Sequence, residues 1–142
     1  MKKIISVSVF ALLVVSFFTV NSLAADNKAQ ASVSKSAKVE VYYFHFTRRC
    51  ATCQAVETES QKAIAALYPV QSKKGLIIFK AVNLDDKTSN ALAKKCNAEG
   101  QALLVISGNK RIDLTEKGFM YALNSADKLK AELKKAIDPL MR

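Results

Sequence analysis

The chain has 142 residues, half of them hydrophobic, with 22 Lys+Arg against 12 Asp+Glu, one histidine and no tryptophan. That length fits one domain of ordinary size with a proper apolar core. The basic excess is spread along helical faces with no recurring basic–aromatic interleave, which argues for a solvated basic surface and against a nucleic-acid partner.

Residues 1–24 read as an export signal. Lys2 and Lys3 form a basic start, and Ile4 to Val20 is apolar with only Ser6, Ser8, Ser16 and Thr19 interrupting. Ser22-Leu23-Ala24 places small residues where a signal peptidase reads, so cleavage is expected after Ala24. The run is short for a membrane span, which needs roughly 20 apolar residues. The alternative is an uncleaved signal that anchors the chain to the membrane. Either way the domain is expected to be exported, in the periplasm or cell envelope, where disulfides persist. Loss of Lys2 and Lys3 leaves 20 basic against 12 acidic residues, a net +8. Residues 25–38 are rich in Ser, Ala, Lys and Gln without an apolar period and read as a disordered leader. The folded domain is then 39–142.

Val39 to Phe46 (VEVYYFHF) is rich in Val, Tyr and Phe and predicts a buried strand. Cys50 to Leu67 predicts a helix, with Ala55, Val56, Ile64 and Leu67 at helical spacing and Glu57, Glu59 and Lys62 outside. Pro69 is expected to stop it, and Ser72 to Gly75 to turn the chain. Leu76 to Leu84 predicts a second strand. Thr88 or Ser89 should cap a short helix over 90–95, ended by Asn97 and Gly100. Ala102 to Ile106 and Arg111 to Leu114 predict a hairpin about Gly108-Asn109. Residues 115–124 read as irregular or partly helical. Ser125 should cap a last helix over 126–137, where Leu129, Leu133 and Ile137 recur every four residues.

The most informative feature is Cys50-Ala51-Thr52-Cys53, which follows the first strand across the short basic turn Thr47-Arg48-Arg49. An i, i+3 spacing puts both sulfurs on one side of a first helical turn, close enough for a disulfide. The helix terminus and the two arginines favour a thiolate at Cys50. A CxxC beside a βαβ pattern is a redox signature. A purely stabilising bridge is the alternative, although a four-residue loop constrains little unfolded-state entropy. Arg49 would tune the nucleophile, and Arg48 would orient an anionic group of a substrate. Both arginines also fit solvated turn positions. His45, the only histidine, is a candidate base or a satisfied, half-buried residue. Cys96, the odd third thiol, reads as a small buried hydrophobe or as a relay cysteine.

The element order, with CxxC between the first strand and helix, resembles the thioredoxin fold over about Val39 to Ile137. The resemblance implies an α/β, three-layer β-α-β-α-β-β-α sandwich about a mixed four-stranded sheet. Strands one to three would form its centre and the Gly108 hairpin its edge. It also implies that Cys50 is the exposed attacking sulfur and Cys53 the buried resolving one. The stretch from Tyr42 to Cys53 is similar to the ArsF-like thioredoxin-fold proteins that accompany arsenic-resistance genes. There are departures from thioredoxins: Arg49 replaces the flanking tryptophan, and the buried acid falls at Phe44. The proline that shapes the substrate groove falls near Ala102, making Ala102 a candidate substrate-binding position. If the His45 ring reaches Cys53, it would replace the missing acid.

The chemistry expected is thiol–disulfide exchange by a monomer, recycled by a partner protein or a membrane electron donor. No bound cofactor or metal is required, because the dithiol carries two electrons. Two other functions compete. One is a thiolate module for copper(I) or arsenite, which requires Cys96 to approach the pair. The other is a non-catalytic interaction domain with a structural bridge.

Overall fold

The computed structural model describes residues 39–141. The signal and leader expected over 1–38 lie outside the described residues. Four strands, β1 (Val39–His45), β2 (Ile77–Asn83), β3 (Ala102–Ser107) and β4 (Lys110–Asp113), form one sheet in the order β2-β1-β3-β4. β1 runs parallel to β2 and antiparallel to β3, and β4 returns antiparallel to β3. Five helices accompany them: α1 (Ala51–Leu67), α2 (Pro69–Lys73), α3 (Asn90–Lys95), α4 (Thr115–Tyr121) and α5 (Ala126–Ile137). The result is the open, mixed α/β sandwich of thioredoxin-like type that the element order implies, except that β2 is an edge strand and only β1 and β3 are central.

Side-chain alternation divides the core into two layers. On one face Val39, Val41 and Tyr43 of β1 and Leu103 and Val105 of β3 meet Val56 and Ile64 of α1 and Leu129, Leu133 and Ile137 of α5. On the other, Tyr42, Phe44, Ala102 and Leu104 meet Ala93, Cys96 and Ala98 at α3. Burial on both faces explains why β1 and β3 read as near-continuous apolar runs. The regular spacing of Leu129, Leu133 and Ile137 turns all three wholly into the core.

Several boundaries differ from expectation for local reasons. α1 ends at Leu67 as expected, and Pro69 just beyond it opens the short α2 from its first position, where its missing N–H costs nothing. Ser72 and Lys73 lie within α2, and the chain turns at Gly75 with φ +67°. Neither Ser89 nor Ser125 makes a side-chain cap bond. Instead the Asp86 carboxylate accepts the Thr88 N–H at 2.9 Å and starts a 3-10 turn (Lys87–Ser89) ahead of α3. Asn97, with φ 51°, closes α3 in the left-handed region asparagine tolerates. Thr115–Tyr121 is a regular helix. It begins where Thr115 Oγ1 accepts the Leu103 N–H at 3.0 Å, pinning α4 to β3. In the β3–β4 hairpin Gly108 alone has positive φ (+56°), the pattern of a type II′ turn.

Gly118 brings α4 against the sheet and α1. A Cβ there would stand 3.2 Å from Leu103 Cδ2 and 3.3 Å from Val56 Cγ1, and both neighbours are wholly buried. Overpacking of this kind costs about 1–3 kcal/mol, against a helix-propensity gain of about 1 kcal/mol for alanine over glycine. Gly118→Ala is therefore expected to lower stability by about 1 kcal/mol, read as a lower urea midpoint at unchanged slope. A raised midpoint would show that Leu103 and Val56 yield.

Three buried tyrosines give stability an alkaline limit. Burial pushes the Tyr43 hydroxyl up from 10.0 to about 12. Burial, then the adjoining carboxylate, raises Tyr42 beside Glu40 and Tyr68 beside Asp138, whose Oδ1 accepts the Tyr68 hydroxyl at 2.6 Å. The folded state keeps protons that the unfolded chain releases near pH 10, so unfolding free energy must fall as pH rises beyond about 10. Urea midpoints should hold between pH 8 and 9 and drop through pH 10 to 12, with Tyr68→Phe flattening the drop. A midpoint flat to pH 12 contradicts this account.

Candidate functional site: a CxxC pair at the head of α1

The site begins with how the chain leaves β1. The Leu84 N–H donates to the His45 carbonyl at 2.7 Å, extending the β1–β2 pairing past the strand end. Beyond it the Thr47 N–H donates to Asp85 Oδ2 (2.8 Å), and Asn83 Nδ2 donates to Thr47 Oγ1 (2.9 Å). The backbone and side-chain bonds from Thr47 hold the Asp85 carboxyl below its ordinary range. The basic turn is thus tied to the end of β2, which fixes the entry into α1.

Cys50 is the N-cap of α1. Its Sγ accepts the Cys53 N–H at 3.2 Å, and its own N–H donates to Cys53 Sγ at 3.2 Å. This is a capping box with sulfur in place of oxygen. The two cysteines form a disulfide with Cα atoms 5.1 Å apart, inside the usual span. Cys50 is exposed and Cys53 is only 4% exposed, the asymmetry expected of attacking and resolving sulfurs. On opening of the bridge, the N–H that now caps Cys50 would stabilise its thiolate, together with the helix terminus.

The other expected site residues fare differently. Arg48 is exposed beside Cys50. Arg49 is half-buried and pairs with Glu57, one turn beyond Cys53 on α1. Its cation is therefore not turned freely toward Cys50. His45 is 8% exposed, with its ring tilted against Tyr43 on the α1 face of the sheet. Its Nδ1 donates to the Phe46 carbonyl at 2.9 Å, which fixes that nitrogen as the protonated one. Its bond therefore goes to the neighbouring backbone, where the expected proton role needs Cys53.

Ala102 corrects the sequence reading. Its side chain is buried on the α3 face, opposite Phe44 in the β1–β3 register and away from the face that α1 covers. Strand alternation gives the position beside the disulfide to its neighbour: Gln101 Oε1 lies 3.7 Å from Cys53 Sγ, where a reduced thiol can donate to it. Cys96 follows the first of its two readings, a small buried hydrophobe. It is 4% exposed in the α3-side layer, while Cys53 belongs to the helix on the opposite face, so the sheet divides them. Burial, then Glu40, raises its thiol. Among the described residues no three His, Cys, Asp or Glu side chains gather to hold a metal ion. The three-thiolate arrangement required by the copper(I) or arsenite reading is therefore not assembled.

Three participants were not singled out from the sequence. Glu57 was read as simply exposed, yet its spacing of four from Cys53 on one helix was a usable signal. Gln101 carried none, because its role depends on where β3 begins. The Tyr43 hydroxyl is buried without a hydrogen-bond partner and feels both Arg49 and Glu57.

No family model matches the chain, and no curated protein matches it. A solved structure described as that of a malarial protein aligns over 69% of this chain and 96% of its own, at 22% identity and a TM-score of 0.44. Likeness at that level carries no argument about function.

Cys96→Ser should leave the reduction potential of the Cys50–Cys53 pair unchanged in glutathione buffers. It should cost about 1–3 kcal/mol of stability, for a hydroxyl placed in an apolar layer. A shifted potential would mean that Cys96 communicates with the pair.

Proposed function

We propose that this protein is an exported thiol–disulfide oxidoreductase of the thioredoxin-like class, with Cys50 as nucleophile and Cys53 as resolving cysteine. The observation that carries the proposal is the pair itself: a disulfide at the head of a helix, one sulfur exposed, the other buried. A bridge meant only to brace the fold has no need of an exposed sulfur capped by a helical N–H. The similarity of Tyr42 to Cys53 to the ArsF-like proteins supports the same class, and the signal-like residues 1–24 support export to the periplasm or cell envelope.

In the reducing direction the Cys50 thiolate attacks one sulfur of a substrate disulfide. A Cys50–substrate disulfide forms and the first substrate sulfur leaves, taking up a proton. Cys53, losing its proton, then attacks Cys50 Sγ and expels the second substrate sulfur as a thiol. Two electrons pass to the substrate, and Cys50 and Cys53 end as a disulfide. The reverse sequence oxidises a substrate dithiol. The Gln101 Oε1 beside Cys53 supports a role in accepting from the Cys53 thiol before it reacts, and the exposure of Arg48 supports its meeting an anionic group of the substrate. A dithiol protein partner or a membrane electron donor resets the pair.

The test has two parts. The pair should open reversibly in redox buffers at a potential above about −300 mV, the range of exchangeable disulfides. Cys53→Ser, incubated with oxidised glutathione, should hold a stable Cys50–glutathione adduct that the wild-type protein resolves at once. A pair that never opens assigns the bridge to structure and leaves a binding domain in place of an enzyme.

A further inference from the structure

Arg49 stands between two anions that do not exist at the same time in equal strength. In the oxidised protein its guanidinium lies on the Glu57 carboxylate, with both side chains 27% exposed. Glu57 sits four residues beyond Cys53, about 6 Å further along the helix axis at 1.5 Å per residue. Arg49 nevertheless precedes Cys50 directly in the chain. The cation is therefore drawn down the side of α1, away from the sulfur it adjoins in sequence. Reduction changes the balance, because two electrons and one proton turn the bridge into a Cys50 thiolate and a Cys53 thiol. A second anion then appears within the sweep of the arginine side chain.

The surroundings supply what a transfer of Arg49 needs. A carboxylate abandoned in a half-buried place is costly unless another donor reaches it. The Tyr43 hydroxyl, on the face of the sheet that α1 covers, is a free donor. It is wholly buried, has no hydrogen-bond partner among the described residues, and lies within the electrostatic reach of both Arg49 and Glu57. An unsatisfied buried hydroxyl is unusual in a folded protein and calls for an explanation. The other nearby groups are committed or open to solvent: His45 to the Phe46 carbonyl, Arg48 to water.

We infer that Glu57 is a positioning residue that holds the Arg49 guanidinium away from Cys50 in the oxidised protein and yields it to the Cys50 thiolate on reduction, with the Tyr43 hydroxyl taking over the vacated carboxylate. Glu57 thereby sets the potential of the pair through Arg49. The inference rests on the exchange reading above and deepens it. It gives that site a built-in resistance to reduction, because the thiolate must win its cation from a carboxylate. The reductant is a dithiol of the partner class already named, itself oxidised to a disulfide, or glutathione in the assay.

The direction of each change follows. Removing the Glu57 charge frees Arg49 for Cys50, stabilises the reduced form and makes the pair more oxidising. Removing Arg49 does the opposite.

The test compares the wild-type protein with Glu57→Gln, Arg49→Gln, the double variant and Glu57→Asp. The readouts are the glutathione equilibrium and the pH profile of Cys50 alkylation, with circular dichroism to check folding. Glu57→Gln should shift the equilibrium at least threefold toward the reduced pair, about 14 mV at 29.6 mV per tenfold, and raise the alkylation rate at pH 7. Arg49→Gln should move both the other way. In the Arg49→Gln background Glu57→Gln should lose most of its effect, and Glu57→Asp should restore wild-type values. A bridge that stays closed in wild-type protein overturns the exchange reading and this inference together. A bridge that opens but shows no shift in Glu57→Gln, or an equal shift with and without Arg49, overturns this inference alone.

Discussion

The rest of the structure depends on the burial of β1 on both faces. Val39, Val41 and Tyr43 point to one layer and Tyr42 and Phe44 to the other, and all five are almost wholly removed from water. A strand in that position must have a neighbour on each edge, because an open edge there would leave buried backbone donors unpaired. β2 and β3 fill those edges. The point at which the chain leaves the sheet is then fixed, and so is the start of α1. The CxxC pair sits at that exit, where the first helical turn leaves Cys50 facing solvent.

The exit is held by polar contacts that the core cannot supply. Thr47 is held between Asn83 and Asp85 at the end of β2, and the His45 carbonyl takes the Leu84 N–H. The turn carrying Arg48, Arg49 and Cys50 is thereby joined to the sheet on one side and to α1 on the other. The proton relay that thioredoxins draw from a buried acid has no counterpart at Phe44, which is apolar and faces the other layer. Charge near the sulfurs comes instead from α1 and its flank, through Arg49 and Glu57.

The correction at Ala102 has a simple cause. Ala102 was placed by its distance along the chain from known landmarks. Facing in a strand changes with every residue, so a shift of one position exchanges the side chain that meets the disulfide for one buried behind the sheet. Gln101 and Ala102 are such a pair. Cys96 lies near the active end in sequence terms, but α3 packs on the opposite face from α1, and a sheet between two thiols keeps them apart.

The sequence by itself determined the four strands, the helices over 51–67, 90–95 and 126–137, their order and the CxxC pair. Each of these is written in local pattern: apolar alternation or repetition, turn residues, and an i, i+3 cysteine spacing that any helix start converts into neighbouring sulfurs. Where Ser89 and Ser125 make no cap bond the helix bounds still hold, because several groups can satisfy the same backbone donors. Tertiary structure alone decided the partners of those cysteines. That Arg49 turns to Glu57, that Gln101 rather than Ala102 meets Cys53, that His45 bonds to its own neighbour and that Cys96 is walled off all depend on register and on the face each helix takes. Those are set by how whole layers pack, and no short stretch of chain contains that information.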